Sequence, residues 1–193
     1  LCQEASFLHF LHPKFDGDVA RPRSSTDEFH MIERRQVVAR FRDLLRADDV
    51  PSALRYLNSV GVHRFTALFR FDGGTLRNLY LIDRQDESVD RCPDLPVLDS
   101  YCVYVRDSAS KFMTEHARTD SRVAGHPKQQ SVQSYCGFPL LEPNGNMFGT
   151  ICHFDYEPVP FDEDEQYLLE TVAPSLIDAI LRTEHNDRMG RAS

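Results

Sequence analysis

No stretch of this 193-residue chain approaches the 18 consecutive apolar residues needed to cross a bilayer, and no export-signal pattern opens it. It is therefore expected to be soluble and cytoplasmic, with no membrane partner. Lysine and arginine nowhere gather into a block, and the formal net charge is -8. A protein that grips a nucleic-acid backbone ordinarily carries a basic face, so no nucleic acid is expected as a partner. Cysteine is sparse and unpatterned: Cys2, Cys92, Cys102, Cys136 and Cys152 are odd in number and form no C-x-x-C. That spacing argues against a disulfide framework and against the common zinc and thioredoxin-like motifs.

What is present suits one domain. The 41% apolar content is enough for a core, while 27% charged residues make a wet surface. Residues 1–25 read as an irregular arm broken by Pro13, Gly17 and Pro22, with Phe7, Leu8, Phe10 and Leu11 available as an apolar patch. Residues 26–185 form the domain, and 186–193 a frayed tail. A helix is expected over 26–47, with Phe29, Ile32, Val38, Phe41 and Leu45 as its apolar stripe. Asp49 or Ser52, with Pro51, opens a short helix that carries Leu54, Leu57 and Val60 and stops at Gly61. Strands over 64–71 and 75–82 are joined by Asp72-Gly73-Gly74. Residues 83–96 read as a surface loop holding Cys92. Asp99 or Ser100 caps a short helix through Val105, and a strand follows over 111–116.

A long polar connection, 116–133, then leads into the central hairpin. Its arms are Ser134–Leu141 and Met147–Asp155, and Asn144-Gly145 makes the turn. Alternation in the second arm places Phe148, Thr150, Cys152 and Phe154 on one face, with Gly149, Ile151, His153 and Asp155 on the other. In the last helix, Asp162 and Glu165 suggest a capping box, and Leu169, Val172, Ala173, Leu176, Ile177 and Ile180 form an apolar stripe that Pro174 should bend. The order suits an α+β fold, one antiparallel sheet with the terminal helices on a single face.

Several blocks carry a family resemblance. They are residues 65–71 before Asp72-Gly73-Gly74, Leu98-Asp99-Ser100-Tyr101-Cys102, residues 115–122, Tyr135-Cys136-Gly137-Phe138-Pro139-Leu140, residues 144–155, and Pro158 with Phe161. Together they resemble a GAF domain of the type found in bacterial signalling and regulatory proteins. The resemblance implies a GAF-like central antiparallel sheet with N- and C-terminal helices on one face and a ligand pocket on the other. It also implies a homodimer through the terminal helices and a small-molecule ligand whose identity, like that of any cofactor, is unknown. The expected pocket walls are residues 99–105 and 111–133, over a floor from the central hairpin. Tyr101, Cys102, Tyr104, His116, Asp120, Tyr135 and His153 are the candidate ligand-binding residues.

Three functions fit. The first is a non-catalytic sensory or regulatory domain in signal transduction. The second is a thiol enzyme resembling free methionine-(R)-sulfoxide reductase, in which Cys102 would be the catalytic residue. Cys102 falls near one cysteine of that family, but residues 115–122 lack the second. The third is an interaction or dimerisation module without ligand, its cavity filled by Phe138, Phe148 and Phe154. The cyclic-nucleotide signature is not met, since Phe161 is followed after three residues by Glu165-Gln166. His116, Asp120, His126 and His153 have no recognised ligand spacing, so no metal site is expected. Cys102, near a helix N-terminus, is expected to be the most reactive thiol and Cys152 among the least.

Overall fold

The computed structural model describes residues 25–191, with side chains from 31 to 190. Nearly all of the N-terminal arm, with its Phe7 to Leu11 patch and Cys2, lies outside the described residues, as do residues 192–193 and the side chain of Phe29. Helix α1 (Ser25–Arg46) and helix α2 (Val50–Val60) come first. Asp49 opens α2, its carboxylate accepting the Ser52 amide at 3.0 Å, while Pro51 fills a first-turn position where no amide hydrogen is missed. Strands β1 (Phe65–Asp72) and β2 (Thr75–Asp83) pair as a hairpin, and Gly73 supplies the positive φ of +57° at its turn.

The chain then adds a two-residue strand β3 (Leu95–Pro96), a single 3₁₀ turn, and helix α3 (Cys102–Ser108). Strand β4 (Phe112–Thr114), strands β5 (Ser134–Leu141) and β6 (Met147–Asp155), and helix α4 (Glu163–Arg191) complete it. The sheet is antiparallel throughout, in the order β3-β2-β1-β6-β5-β4. Gly149 lets its two central strands close up. A Cβ there would sit 1.9 Å from the Phe69 carbonyl oxygen. Among the described residues no helix is long and apolar enough to cross a membrane.

Each face of the sheet has its own core. On one, α1, α2 and α4 cover Leu68, Ile82, Cys136, Phe138, Leu140, Phe148 and Ile151. On the other, Phe65, Ala67, Phe69, Tyr135 and Cys152 pack with α3 and the long connection. The alternation expected along β1 and most of β6 holds, with one exception. β6 carries an extra residue where Leu140 pairs with Gly149 and Leu141 with Met147. Phe148 is that residue, and the irregularity puts it in the helix-side core. Phe138 lies there too, so of the three phenylalanines expected to fill the cavity only Phe154 is on the cavity side.

The terminal helices pack into the chain's own core. Val38, Phe41, Leu45, Leu169, Leu176 and Ile180 belong to their apolar stripes. All six are buried against the chain's own sheet and helices, at 6% exposure or less. Asp162 does cap α4, accepting the Glu165 amide at 2.7 Å, but Glu165 does not complete the box; its carboxylate turns inward to two histidines. Helix α4 runs to Arg191, with Glu184 and Arg188 paired one turn apart at 3.2 Å.

Candidate functional site

A cavity of about 620 Å³ opens on the sheet face away from the terminal helices. Its floor is Phe65 and Phe69 of β1, Leu81 of β2, Tyr135 of β5, and Cys152 and Phe154 of β6. Tyr101 and Cys102 at the start of α3 close one side. Lys128, Ser131 and Val132 close another. The segment 92–95 forms the remaining wall, so residues 83–96 are more than a surface loop. Asn78 ties that segment to β2. Its side-chain oxygen accepts the Cys92 backbone amide at 2.9 Å, and its backbone N–H donates to the Asp94 carboxylate at 3.0 Å. Cys92 thereby reaches the cavity, which holds three free thiols: Cys92, Cys102 and Cys152.

Tyr135 and Cys102 form the polar centre. The Tyr135 hydroxyl donates to Cys102 Sγ at 3.3 Å, and the Cys102 amide donates to Ser100 Oγ at 3.2 Å. Burial opposes a Cys102 thiolate, but hydrogen bonds from Cys152, Ser100 and Tyr135 outweigh it and draw the thiol below its ordinary value. Burial, then the Cys102 neighbour, pushes Cys152 well up. Of the two, Cys102 is the one whose anion the surroundings favour. Burial also raises Cys92 and lifts Tyr101 to about 12, so the Tyr101 phenol stays a neutral donor, directed at the Val132 carbonyl 3.3 Å away.

Three of the seven expected site residues, Tyr101, Cys102 and Tyr135, line this cavity. Tyr104 packs instead against Phe112, ring centres 4.4 Å apart and planes tilted by 31°. His116 closes a local turn through Thr119 Oγ1 at 2.7 Å. Asp120 accepts the Arg122 amide at 3.0 Å and holds the Arg122 guanidinium at 2.6 Å, a structural pairing at the start of a 3₁₀ turn. His153 faces the helices, because strand parity sends it opposite to Cys152 and Phe154; its Nδ1 lies 2.6 Å from Glu165 Oε1. Burial lowers the His153 imidazole, while its hydrogen bonds with His153 and His63 hold Glu165 down at about 2 against the effect of burial.

Sequence reasoning passed over Cys92, Lys128 and Phe65 as pocket residues. The parity of β1 and β6 could have supplied Phe65 together with Cys152 and Phe154. Cys92 and Lys128 lie in irregular segments, where no periodicity shows direction.

The profile of the GAF domain family matches residues 35–180. Comparison with curated protein sequences gives no match. Among solved structures, the GAF domain of a phosphoenolpyruvate-protein phosphotransferase from Acinetobacter is similar, with a TM-score of 0.65 at 13% identity, covering 81% of this chain and 98% of that one. The corresponding domain from Coxiella burnetii gives 0.64 at 14% identity, covering 81% and 98%. Free methionine-R-sulfoxide reductase from Neisseria meningitidis, solved with its substrate, gives 0.63 at 13% identity, covering 86% and 96%. At these identities the likeness is one of fold.

Proposed function

This chain belongs to the GAF domain family, and from that premise we propose that it is a non-catalytic regulatory domain that senses a small molecule in signal transduction. The observation that carries this reading is the open cavity of about 620 Å³, a volume suited to a metabolite-sized ligand. Its walls offer the faces of Phe65, Phe69, Phe154 and Tyr156 to an apolar or planar body. Ser100, Ser131 and the two buried tyrosines offer hydrogen bonds. Lys128 and Asp94 give it one charge of each sign. The ligand that fits is small and amphipathic, with at least one charged group.

Thermal unfolding in the presence of 2-oxo acids, amino acids, cyclic nucleotides and tetrapyrroles tests the reading, because a ligand that prefers the native state must raise its stability. The expected result is an upward shift with one class, weakened in Lys128→Ala or Asp94→Asn. Robust turnover of a small substrate by the pure domain would overturn the non-catalytic reading.

One observation favours a second reading, thiol chemistry. Cys92, Cys102 and Cys152 share the cavity, and Cys102 is the thiol disposed to ionise. The Neisseria reductase of similar fold makes free methionine-R-sulfoxide the substrate to assay, with a dithiol as reductant. Reduction of that substrate, abolished by Cys102→Ser, would establish the enzyme. Absence of reduction by the wild-type chain removes it.

A further inference from the structure

We propose that His63, His153 and Glu165 form a binding site for a divalent metal ion of the zinc class, on the helix side of the sheet and independent of the ligand pocket. The three residues come from separate parts of the chain. His63 lies in the turn between α2 and β1, His153 within β6, and Glu165 in the first turn of α4. Each is 1–2% exposed, and one ligand atom from each lies within 4.8 Å of the others. Two imidazole nitrogens and a carboxylate oxygen make a donor set that zinc accepts in three-ligand sites.

Two further observations describe the surroundings of the cluster. Both histidine Nε2 atoms are buried without a hydrogen-bond partner, so the cluster's internal bonds leave half of the two rings' polar capacity unused. The Nδ1 atoms, which face the Glu165 carboxylate, are the ones an ion would take, while the Nε2 atoms on the far side of each ring suit ordered water. The second is Gly61. Its backbone, at φ -85° and ψ 179°, is extended and open to any residue. A Cβ there would nevertheless lie 2.6 Å from Glu165 Oε1 and 3.2 Å from a carbon of the His153 ring. Glycine is needed at this position for the room it leaves beside the carboxylate.

The geometry is that of a closed ligand set. His153 Nδ1 is 2.6 Å and His63 Nδ1 3.0 Å from Glu165 Oε1. Ligand atoms at zinc distances around a tetrahedral ion stand about 3.3 Å apart, so each histidine–glutamate pair has to open by less than ~1 Å to admit the ion. An ion there would pin the first turn of α4 to β6, the strand whose other face floors the pocket through Cys152.

The test uses the whole chain, stripped with a chelator and then titrated with zinc or cobalt(II). One ion per chain is expected, with the visible absorption of four-coordinate cobalt and an upward shift of the unfolding midpoint. Glu165→Gln keeps the side chain's shape and one accepting oxygen while weakening ligation, and His153→Gln removes one ring. Each should lower affinity by at least about tenfold, with cobalt absorption lost. Binding that survives both substitutions would place the ion elsewhere and overturn the proposal. Were a variant to unfold, the wild-type chain decides alone: no stoichiometric binding and no midpoint shift would make the cluster a hydrogen-bonded network only. Neither outcome bears on ligand binding in the pocket.

Discussion

The Tyr135 hydroxyl lies 3.3 Å from Cys102 Sγ because Gly137, two residues along the same strand, has no side chain to hold the ring away. A Cβ at 137 would stand 2.2 Å from the phenol oxygen and 2.7 Å from the ring carbon that bears it. The hydrogen bond favours the Cys102 thiolate, so its loss must raise the thiol's pKa and slow reaction at neutral pH. Tyr135→Phe removes the donor alone, and Gly137→Ala displaces the ring. Both should slow alkylation of Cys102 by iodoacetamide severalfold, read peptide by peptide. In the wild-type chain Cys102 should react faster than Cys152, and faster than Cys136, whose thiol burial on the helix side pushes up to about 12. Unchanged rates in both variants would separate the hydrogen bond from the reactivity.

Gly149→Ala should be among the most damaging single substitutions in the sheet. The added methyl would meet backbone, the Phe69 carbonyl at 1.9 Å, and backbone cannot rotate aside as a side chain can. Relief requires β1 and β6 to separate where they pair through Phe69 with Thr150 and Arg70 with Gly149. A loss above about 3 kcal/mol is expected from overpacking at a closely approached strand pair. Urea unfolding measures it, and a loss under about 1 kcal/mol would show that the strands can part there at little cost.

Asp120 gives a prediction with a defined pH window. The Arg122 hydrogen bond holds its carboxyl down at about 2, against about 3.9 for an unfolded chain. A carboxyl whose folded value is depressed stabilises the fold fully above the unfolded value, and this contribution fades as pH falls from about 4 through about 2. Arg122 is 61% exposed, so water screens the pair and the effect should be about 1 kcal/mol or less. Asp120→Asn retains an oxygen for the Arg122 amide and isolates the charge. The variant should be less stable than wild type at pH 7, with the gap closing at about pH 2.

The fold was readable from the sequence because its elements carry strong local signals. Asp49-Val50-Pro51-Ser52, Asp72-Gly73-Gly74 and Asn144-Gly145 mark ends and turns by their own chemistry, and 3.6- and 2-residue periodicities identify what lies between. The pocket was readable only where an element fixed direction. Tyr135 follows from the parity of β5, and Tyr101 and Cys102 from the start of α3. His153 was a candidate whose direction stayed open, because parity alone does not say which face the helices cover; the structure turns it toward Glu165 of α4. Phe148 escaped parity at the β6 irregularity. The grouping of His63 with Glu165, 102 residues apart, has no local signature at all.

The terminal helices provide the last test, which separates an internal core from an interface between copies. Phe41 is fully buried and lies with Leu45, Leu169 and Leu176 in one core within a single chain. Phe41→Ala removes most of a large side chain from a packed site, and the lost transfer energy adds to that of the cavity left behind, about 3–5 kcal/mol in all. For an intrachain core this loss is a property of each molecule. The urea midpoint of wild type and variant should then be the same at one and at a hundred micromolar. Were the stripe completed by a second copy, mass action would raise the midpoint with concentration, and Phe41→Ala would weaken that dependence. Sedimentation over the same range should give a mass that Phe41→Ala leaves unchanged. A fall in mass on substitution would return the stripe to the interface.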